Sequence, residues 1–332
     1  MSQEIMVSIT CITYNHEKYI RKALDSFLSQ KTQYRFEILI HDDASTDATA
    51  DIIREYVEKY PDIVHAVLQT ENQYSKKVPI TQTFLLPLAK GKYVALCEGD
   101  DFWMDDEKLE KQISFLESHE DAVACVHSGK YINEDGEERG DLFRAYDGDR
   151  YVSMEDAITE WLVPTASFVC LTQYRRDTIP FKQDAPCGDL PLMIYLLSKG
   201  KVWYIDEPMC GYRVNSVSSL SRVQQKNNFE KNKKWTERMV GLFSRIDEYT
   251  NFEYTDRIAA KIKRYWFGLY LRYCKWSKLL SREFIDDYKA LPFKTKVSNV
   301  IGFFSPKLQT KLQQKIKKGQ SSKGTAPIIK EK

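Results

Sequence analysis

The chain has 332 residues, 42% of them hydrophobic and 13% aromatic, enough to bury a full core and a second, smaller unit. A formal net charge of only +2 makes no global demand for a nucleic-acid partner, and its distribution is uneven. From Phe293 onward ten Lys face one Glu, a local charge of about +9 that leaves about −7 on the rest. Seven Cys without a C-x-x-C pair fit reduced thiols in a cytoplasmic protein better than a disulfide framework or a zinc site. The N-terminal residues lack the basic and apolar regions of a secretion signal, and no apolar stretch approaches the ~18 residues that span a bilayer. The expectation is a soluble protein, or one peripheral to the inner face of the cell membrane.

Met6 to Thr13 reads as a buried strand, ended by Tyr14-Asn15-His16. Glu17 to Gln30 carries a helical stripe of Tyr19, Ile20, Ala23, Leu24, Phe27 and Leu28. Phe36 to Ile40 is predicted as a second strand, followed by His41-Asp42-Asp43-Ala44-Ser45-Thr46-Asp47. Thr46 or Asp47 can cap the next helix, whose inner face is Ile52, Ile53, Tyr56 and Val57. A third strand is expected over Ile63 to Gln69, a helix over Thr81 to Lys90 despite Pro87, and a fourth strand over Lys92 to Cys97. A helix over Asp106 to Ser118 and a fifth strand over Ala122 to His127 follow. This rhythm means βαβ units, hence an α/β fold with a mainly parallel central sheet flanked by helices.

In such sheets ligands bind beyond the carboxyl ends of the strands. Three polar clusters fall there: Thr13-Tyr14-Asn15, Asp42-Asp43 and Glu98-Gly99-Asp100-Asp101. Glu98 and Asp100 alternate to the same side of a strand tip, and Gly99 leaves room for close approach. Three carboxylates in four residues repel one another unless water or a cation sits among them. Hard oxygens without His or Cys nearby suit Mg²⁺ or Mn²⁺ shared with phosphates. Alone, the tetrad reads equally well as a solvated acidic turn. Neither G-x-G-x-x-G after the first strand nor G-x-x-x-x-G-K-[ST] occurs, so a divalent cation is the natural substitute for a glycine-rich phosphate cradle.

The segments V-S-I-T-C-I-T-Y-N-H-E-K-Y-I, I-L-I-H-D-D-A-S-T-D and A-K-G-K-Y-V-A-L-C-E-G-D-D-F-W together resemble a family-2 glycosyltransferase of GT-A fold. The likeness runs from Val7 to about Ser221 and is greatest to bacterial members that build capsular or lipopolysaccharide sugars. It implies a nucleotide-diphosphate sugar donor, a UDP-sugar first among the candidates, and a saccharide or lipid-linked acceptor. Asp42 or Asp43 would contact the base, with Thr13, Tyr14 and Asn15 lining its pocket. Glu98-Gly99-Asp100 would occupy the family's D-x-D, with Glu in the first place. That longer side chain can turn to sugar hydroxyls, which makes Asp100 and Asp101 the expected metal ligands.

Asn133 to Glu138 reads as the turn of an acidic surface hairpin, Arg139 to Tyr151 as a loop, and Pro164 to Thr172 as a strand. Asp189 stands ahead of the apolar helical run to Leu197, where a carboxylate is a natural cap. The resemblance instead makes Asp189 the catalytic base of an inverting transfer, since G-D-L falls where members carry G-D or E-D. After a strand over Val202 to Ile205, Gly211-Tyr212-Arg213-Val214-Asn215-Ser216-Val217-Ser218-Ser219 resembles the family's Y-R-x-H-x-x-S loop. Asn215 stands where the His completes the metal site, and Arg213 is expected to meet the diphosphate.

The expected division is a catalytic domain over 1–221, a helical extension over 222–306 and a basic, disordered tail over 307–332. Arg257 to Leu280 mixes aromatic and basic residues, as a packed helix or a membrane-interface face would. The Lys-rich end suits an anionic membrane surface. A non-catalytic nucleotide-sugar or polyanion binder retaining the fold is the alternative, kept open by Asn215 and Glu98. Nucleic acid is not an expected partner, because the remainder is net acidic.

Overall fold

The structure, a computed structural model, describes residues 4–143, 145–160, 163–214 and 228–304. Asn215, the rest of the closing loop to Ser221 and the basic tail lie outside the described residues. The chain divides into two compact units, Met1–Pro180 with Cys187–Gln225, and Phe181–Pro186 with Lys226–Lys332.

The first unit is built on one ten-stranded sheet. Strands β1 (Val7–Thr13), β2 (Phe36–Asp42), β3 (Val64–Leu68) and β4 (Tyr93–Leu96) form a parallel set with β1 at its centre. Val7, Ile9, Cys11, Ile38, Ile40 and Ala95 are wholly enclosed, because helices cover both faces. Helix α1 (Ile20–Leu28) buries Ile20, Ala23, Leu24 and Phe27, and α2 (Thr49–Lys59) buries Ile52, Ile53 and Tyr56. That spacing of three and four places each set on one helical face. Asp47 steadies the start of α2, its Oδ1 accepting the Thr49 amide at 3.0 Å.

The rest of the sheet is mixed. It contains β5 (Phe102–Trp103), β6 (Ala122–Ile132), β7 (Glu138–Phe143), β8 (Arg150–Tyr151), β9 (Val169–Leu171) and β10 (Lys201–Arg213). β9 runs antiparallel between β4 and β6, whereas β10 is parallel to β6. β5 and β8 add to β10 antiparallel, and β7 to β6. The order β3-β2-β1-β4-β9-β6-β10-β5 brings the ends of β1, β2 and β4 and the far end of β10 to one rim. Helix α3 (Lys108–Ser118) packs on β6, and α6 (Asp189–Leu197), which follows the short α4 (Met154–Thr159) and α5 (Thr172–Arg176), packs on β6 and β10.

Several elements differ from expectation. The helix expected over Thr81 to Lys90 is a five-residue π-turn, Thr81–Leu85, closed by the Leu86 amide on Thr81 O; Pro87 has no amide to extend it. The loop expected over Arg139 to Tyr151 contains β7 and β8. β6 runs on to Ile132, and Gly136 at φ 92° turns the chain back so that β7 has an edge to pair with. Only Val169–Leu171 of the strand expected from Pro164 is extended, because Pro164 O accepts from both the amide and the hydroxyl of Ser167 in a 3₁₀ turn. The strand expected over Val202 to Ile205 continues to Arg213 through register shifts on either side of Pro208.

The second unit is helical, led by Phe229–Tyr249 and Thr255–Arg272. Met239, Leu242, Phe243, Ile246, Ile258 and Leu269 are buried in it. Within the aromatic and basic stretch, Tyr265 packs on Trp235 and Phe243, Tyr270 on Phe284, and Trp276 on Tyr288. No helix among the described residues is long and apolar enough to cross a membrane.

Candidate active site

The loops leaving β1 and β2 are braided by their own polar side chains. Asp42, buried at the tip of β2, accepts from Thr13 Oγ1 at 3.0 Å and from the Ser45 amide at 3.0 Å. Asp43, equally buried, accepts the Gln73 and Tyr74 amides at 2.7 and 3.1 Å, and its own amide donates to Thr13 O. Asn15 holds the left-handed conformation at φ 55°, which lets its Oδ1 accept the Thr46 amide at 2.8 Å. Ala44 is also left-handed, at φ 60°, a strain of about 1 kcal/mol that the Asp42–Ser45 bonds sustain. Tyr14, by contrast, is exposed on this rim. The pair of carboxylates therefore organises two loops, Asp42 the one after β2 and Asp43 the one after β3.

The acidic turn after β4 lies against the β1 loop. The Gly99 amide donates to Ile12 O at 3.0 Å, and a Cβ at Gly99 would stand 2.5 Å from Thr13 Cγ2. The three carboxylates of this turn meet three environments. Glu98 is exposed, although dense protein around it, then Asp100 and Asp189, push its pKa upward. Asp100 is half-buried with Oδ2 4.0 Å from Nε2 of His16. His16 is itself buried, and that burial pulls its pKa down against the opposing pull of Asp100, Asp47 and Asp42. Asp101 is enclosed; its Oδ1 accepts the Arg213 amide at 2.7 Å, and its Oδ2 meets no hydrogen-bond partner among the described residues. Burial, then Asp100 and Glu98, raise the Asp101 pKa well above the carboxylate range.

Arg213 sits differently from the expectation of a cation facing the diphosphate. It is only 3% exposed, with Nε on Asp100 O at 2.9 Å and Nη1 on Asn133 O and Glu134 O at 2.9 and 3.2 Å. Its guanidinium lies 4.4 Å from the ring centroid of Tyr19. The side chain thus ties the acidic turn to the tip of the β6–β7 hairpin, a brace that the planar fork of Arg suits.

Asp189 opens α6, with Gly188 before it and its Oδ1 accepting the Leu190 amide at 2.9 Å. Its charge is the third contribution, after burial and Asp100, to the upward push on the Glu98 pKa. Tyr212 lies in the field of all four acids: burial first, then Asp101, Glu98, Asp189 and Asp100, push its phenol upward. Sequence reasoning passed over Tyr212 and His16 as site residues. Each stands inside a segment it did quote, next to Arg213 and Asn15.

The acidic turn offers hard oxygen donors, and Asp101 Oδ2 is an orphaned buried acceptor, so the chemistry of the set fits Mg²⁺ or Mn²⁺. Among the described residues no three His, Cys, Asp or Glu side chains already converge as a cation cage. The fit is to a cation that would take one or two protein oxygens from this turn.

The family model described as glycosyl transferase family 2 matches residues 8–177. The chain is 37% identical over 213 residues to an uncharacterized protein of Mycobacterium tuberculosis, a match covering 62% of this chain and 58% of that one. It is 35% identical over 130 residues to the Escherichia coli UDP-Glc:alpha-D-GlcNAc-diphosphoundecaprenol beta-1,3-glucosyltransferase WfaP, covering 39% of this chain and 48% of the relative. Among solved structures, the mannosyltransferase PcManGT from Pyrobaculum calidifontis, in complex with GDP-Man and Mn²⁺, is similar at a TM-score of 0.55 and 16% identity. That likeness covers 94% of this chain and 86% of the mannosyltransferase, and at such identity speaks for the fold alone. The chain belongs to glycosyl transferase family 2, with a GT-A-like α/β fold.

Proposed function

We propose that this family member is an inverting, metal-dependent glycosyltransferase. It would move a sugar from a nucleoside-diphosphate donor, a UDP-sugar, to a hydroxyl of a saccharide or lipid-linked acceptor in cell-surface polysaccharide synthesis. What supports the reading is the rim itself, where the polar ends of the parallel strands β1, β2 and β4 lie together and Asp101 of the acidic turn takes the Arg213 amide of β10. The UDP donor and lipid-linked acceptor in the name of the Escherichia coli relative support the finer assignment.

The acceptor oxygen attacks the anomeric carbon while the Asp189 carboxylate takes its proton. The bond from that carbon to the diphosphate oxygen breaks, and the nucleoside diphosphate leaves with the electron pair. Asp100, with Asp101 Oδ2, would hold a divalent cation, which when bound offsets charge on the departing diphosphate. Asp42 and Asp43 fix the loops around the base, and Tyr14 is the exposed ring beside them. Arg213 holds the acidic turn in place and is a positioning residue.

Asp189→Asn tests the proposal, assayed with UDP-, GDP- and dTDP-sugars with and without Mn²⁺. It keeps size and hydrogen bonding but cannot accept the proton. Turnover should fall by roughly 10²–10⁴ while donor affinity by calorimetry stays within about two-fold. Near-wild-type turnover would reduce Asp189 to a helix cap and remove the proposed base.

A further inference from the structure

Arg213 and Gly211 face one side of β10. A Cβ at Gly211 would meet the Phe102 ring at 2.7 Å and Ile132 at 2.8 Å, and the Arg213 guanidinium stands over Tyr19 and Phe102. Side chains alternate along a strand, so Tyr212 faces the opposite side. Its register partner on the parallel strand β6 is Tyr131, and α6, which opens with Asp189, packs on these same two strands.

There three aromatic rings form one cluster. Tyr131 lies parallel to Phe143 at 5.2 Å between centroids and 6° between planes. Tyr212 makes T-shaped contacts with both, 6.0 Å from Tyr131 at 72° between planes and 5.5 Å from Phe143 at 74°. Phe143 is buried, while Tyr131 and Tyr212 each keep part of their surface open.

We infer that Tyr212 and Tyr131, their planes 72° apart, form an aromatic corner, a stacking platform with one wall, for a neutral pyranose ring of the acceptor, an inference that rests on the transferase reading above. A pyranose presents an apolar C–H face suited to an aromatic ring, and hydroxyls around its rim suited to carboxylates. Tyr212 lies in the fields of Asp189 on one element and of Glu98, Asp100 and Asp101 on another. Because α6 packs on β6 and β10, the strands that carry these rings, an acceptor held on them would lie beside the helix that Asp189 opens. The hairpin tip carrying Glu134, Asp135 and Glu137 makes the place hostile to a carboxylated sugar.

The platform is tested by saturation-transfer NMR on the whole chain loaded with UDP and Mn²⁺. The probes are methyl glucoside, methyl galactoside and methyl N-acetylglucosaminide, with methyl glucuronide as the charged comparison and glycerol as a hydroxyl without a ring. At least one neutral pyranoside should bind, with the C–H face receiving the strongest transfer. Tyr212→Ala and Tyr131→Ala should each weaken it about tenfold, and Tyr212→Phe much less. Donor affinity and melting temperature, measured alongside, report whether each variant folds; Tyr131→Ala carries the test should Tyr212→Ala unfold. Equal pyranoside binding in folded alanine variants, glucuronide binding as strong as the neutral sugars, or no pyranoside binding overturns the platform. Saccharide binding lost in the variants, in a protein that transfers no sugar, would uphold it and count against the transferase reading instead.

Discussion

Gly99→Ala places the most local demand on the proposed geometry. The new Cβ would sit 2.5 Å from Thr13 Cγ2, 3.0 Å from His16 Nδ1 and 3.2 Å from Ile20 Cδ1. Carbon atoms pack best at about 3.5–4.0 Å, so the closest contact demands a shift of about 1 Å. The turn cannot easily give way, being tied through the Gly99 amide to Ile12 O and through Asp101 to the Arg213 amide. Overpacking of this kind costs about 1–3 kcal/mol, and the stiffer unfolded chain returns about 0.4–1 kcal/mol. A net loss of about 1–2 kcal/mol is expected, with weaker binding of UDP and Mn²⁺ because Asp100 moves with the turn. Thr13→Ser deletes Cγ2 but keeps the hydroxyl that donates to Asp42. The double variant should therefore recover at least about 0.5 kcal/mol beyond additivity. Urea unfolding and titration calorimetry on wild type, both single variants and the double variant measure this. Gly99→Ala within about 0.5 kcal/mol of wild type, or purely additive variants, would refute the close approach.

Arg213→Lys should destabilise by about 2 kcal/mol or more in urea unfolding, because an ammonium cannot reach Asp100 O, Asn133 O and Glu134 O together; a loss under about 0.5 kcal/mol would deny the brace. Lys108 is wholly buried, with Nζ on Gln112 Oε1 at 2.7 Å, and burial lowers its pKa to about 8. A lysine whose folded pKa lies below its unfolded value binds fewer protons when folded, so stability should rise between pH 8 and about 10.4. The part removable by Lys108→Met is of order 3 kcal/mol. The difference in unfolding free energy between Lys108→Met and wild type, followed from pH 7 to 10, should shrink as pH rises; a flat difference would contradict the buried charge.

The four parallel strands were readable because β1, β2 and β4 are enclosed almost throughout and β3, though half-buried, is mainly apolar. β7 and β8 were not. Glu138 to Gly140 and Arg150 with Tyr151 are exposed edge residues without an apolar alternation; β7 pairs with β6 beyond its expected end, and β8 is only two residues long against Trp203 and Tyr204. The rim was readable from the polar residues that end β1, β2 and β4. Exposure was not. Arg213 carries the same sequence signal whether its fork meets a diphosphate or three backbone carbonyls, and only tertiary position distinguishes them. Tyr212 was missed for a related reason: its surroundings come from β4 and α6, far from it in the chain.

Chemical identity does not separate the acids of the turn; their neighbours do. Asp101 is enclosed and takes an amide from Arg213, an arrangement worth little against an apolar pair but costly to break from one side. Its place beneath the rim is therefore better explained by geometry than by stability: it fixes where the chain of β10 passes. Since Arg213 also clasps Asp100 O and the hairpin tip, one residue of β10 sets both the acidic turn and the edge that carries Tyr131. The donor and acceptor sides of the proposed site thus share one brace. A change in Arg213 should for that reason disturb both sides together, whereas changes in Gly99 or Tyr131 should act chiefly on one.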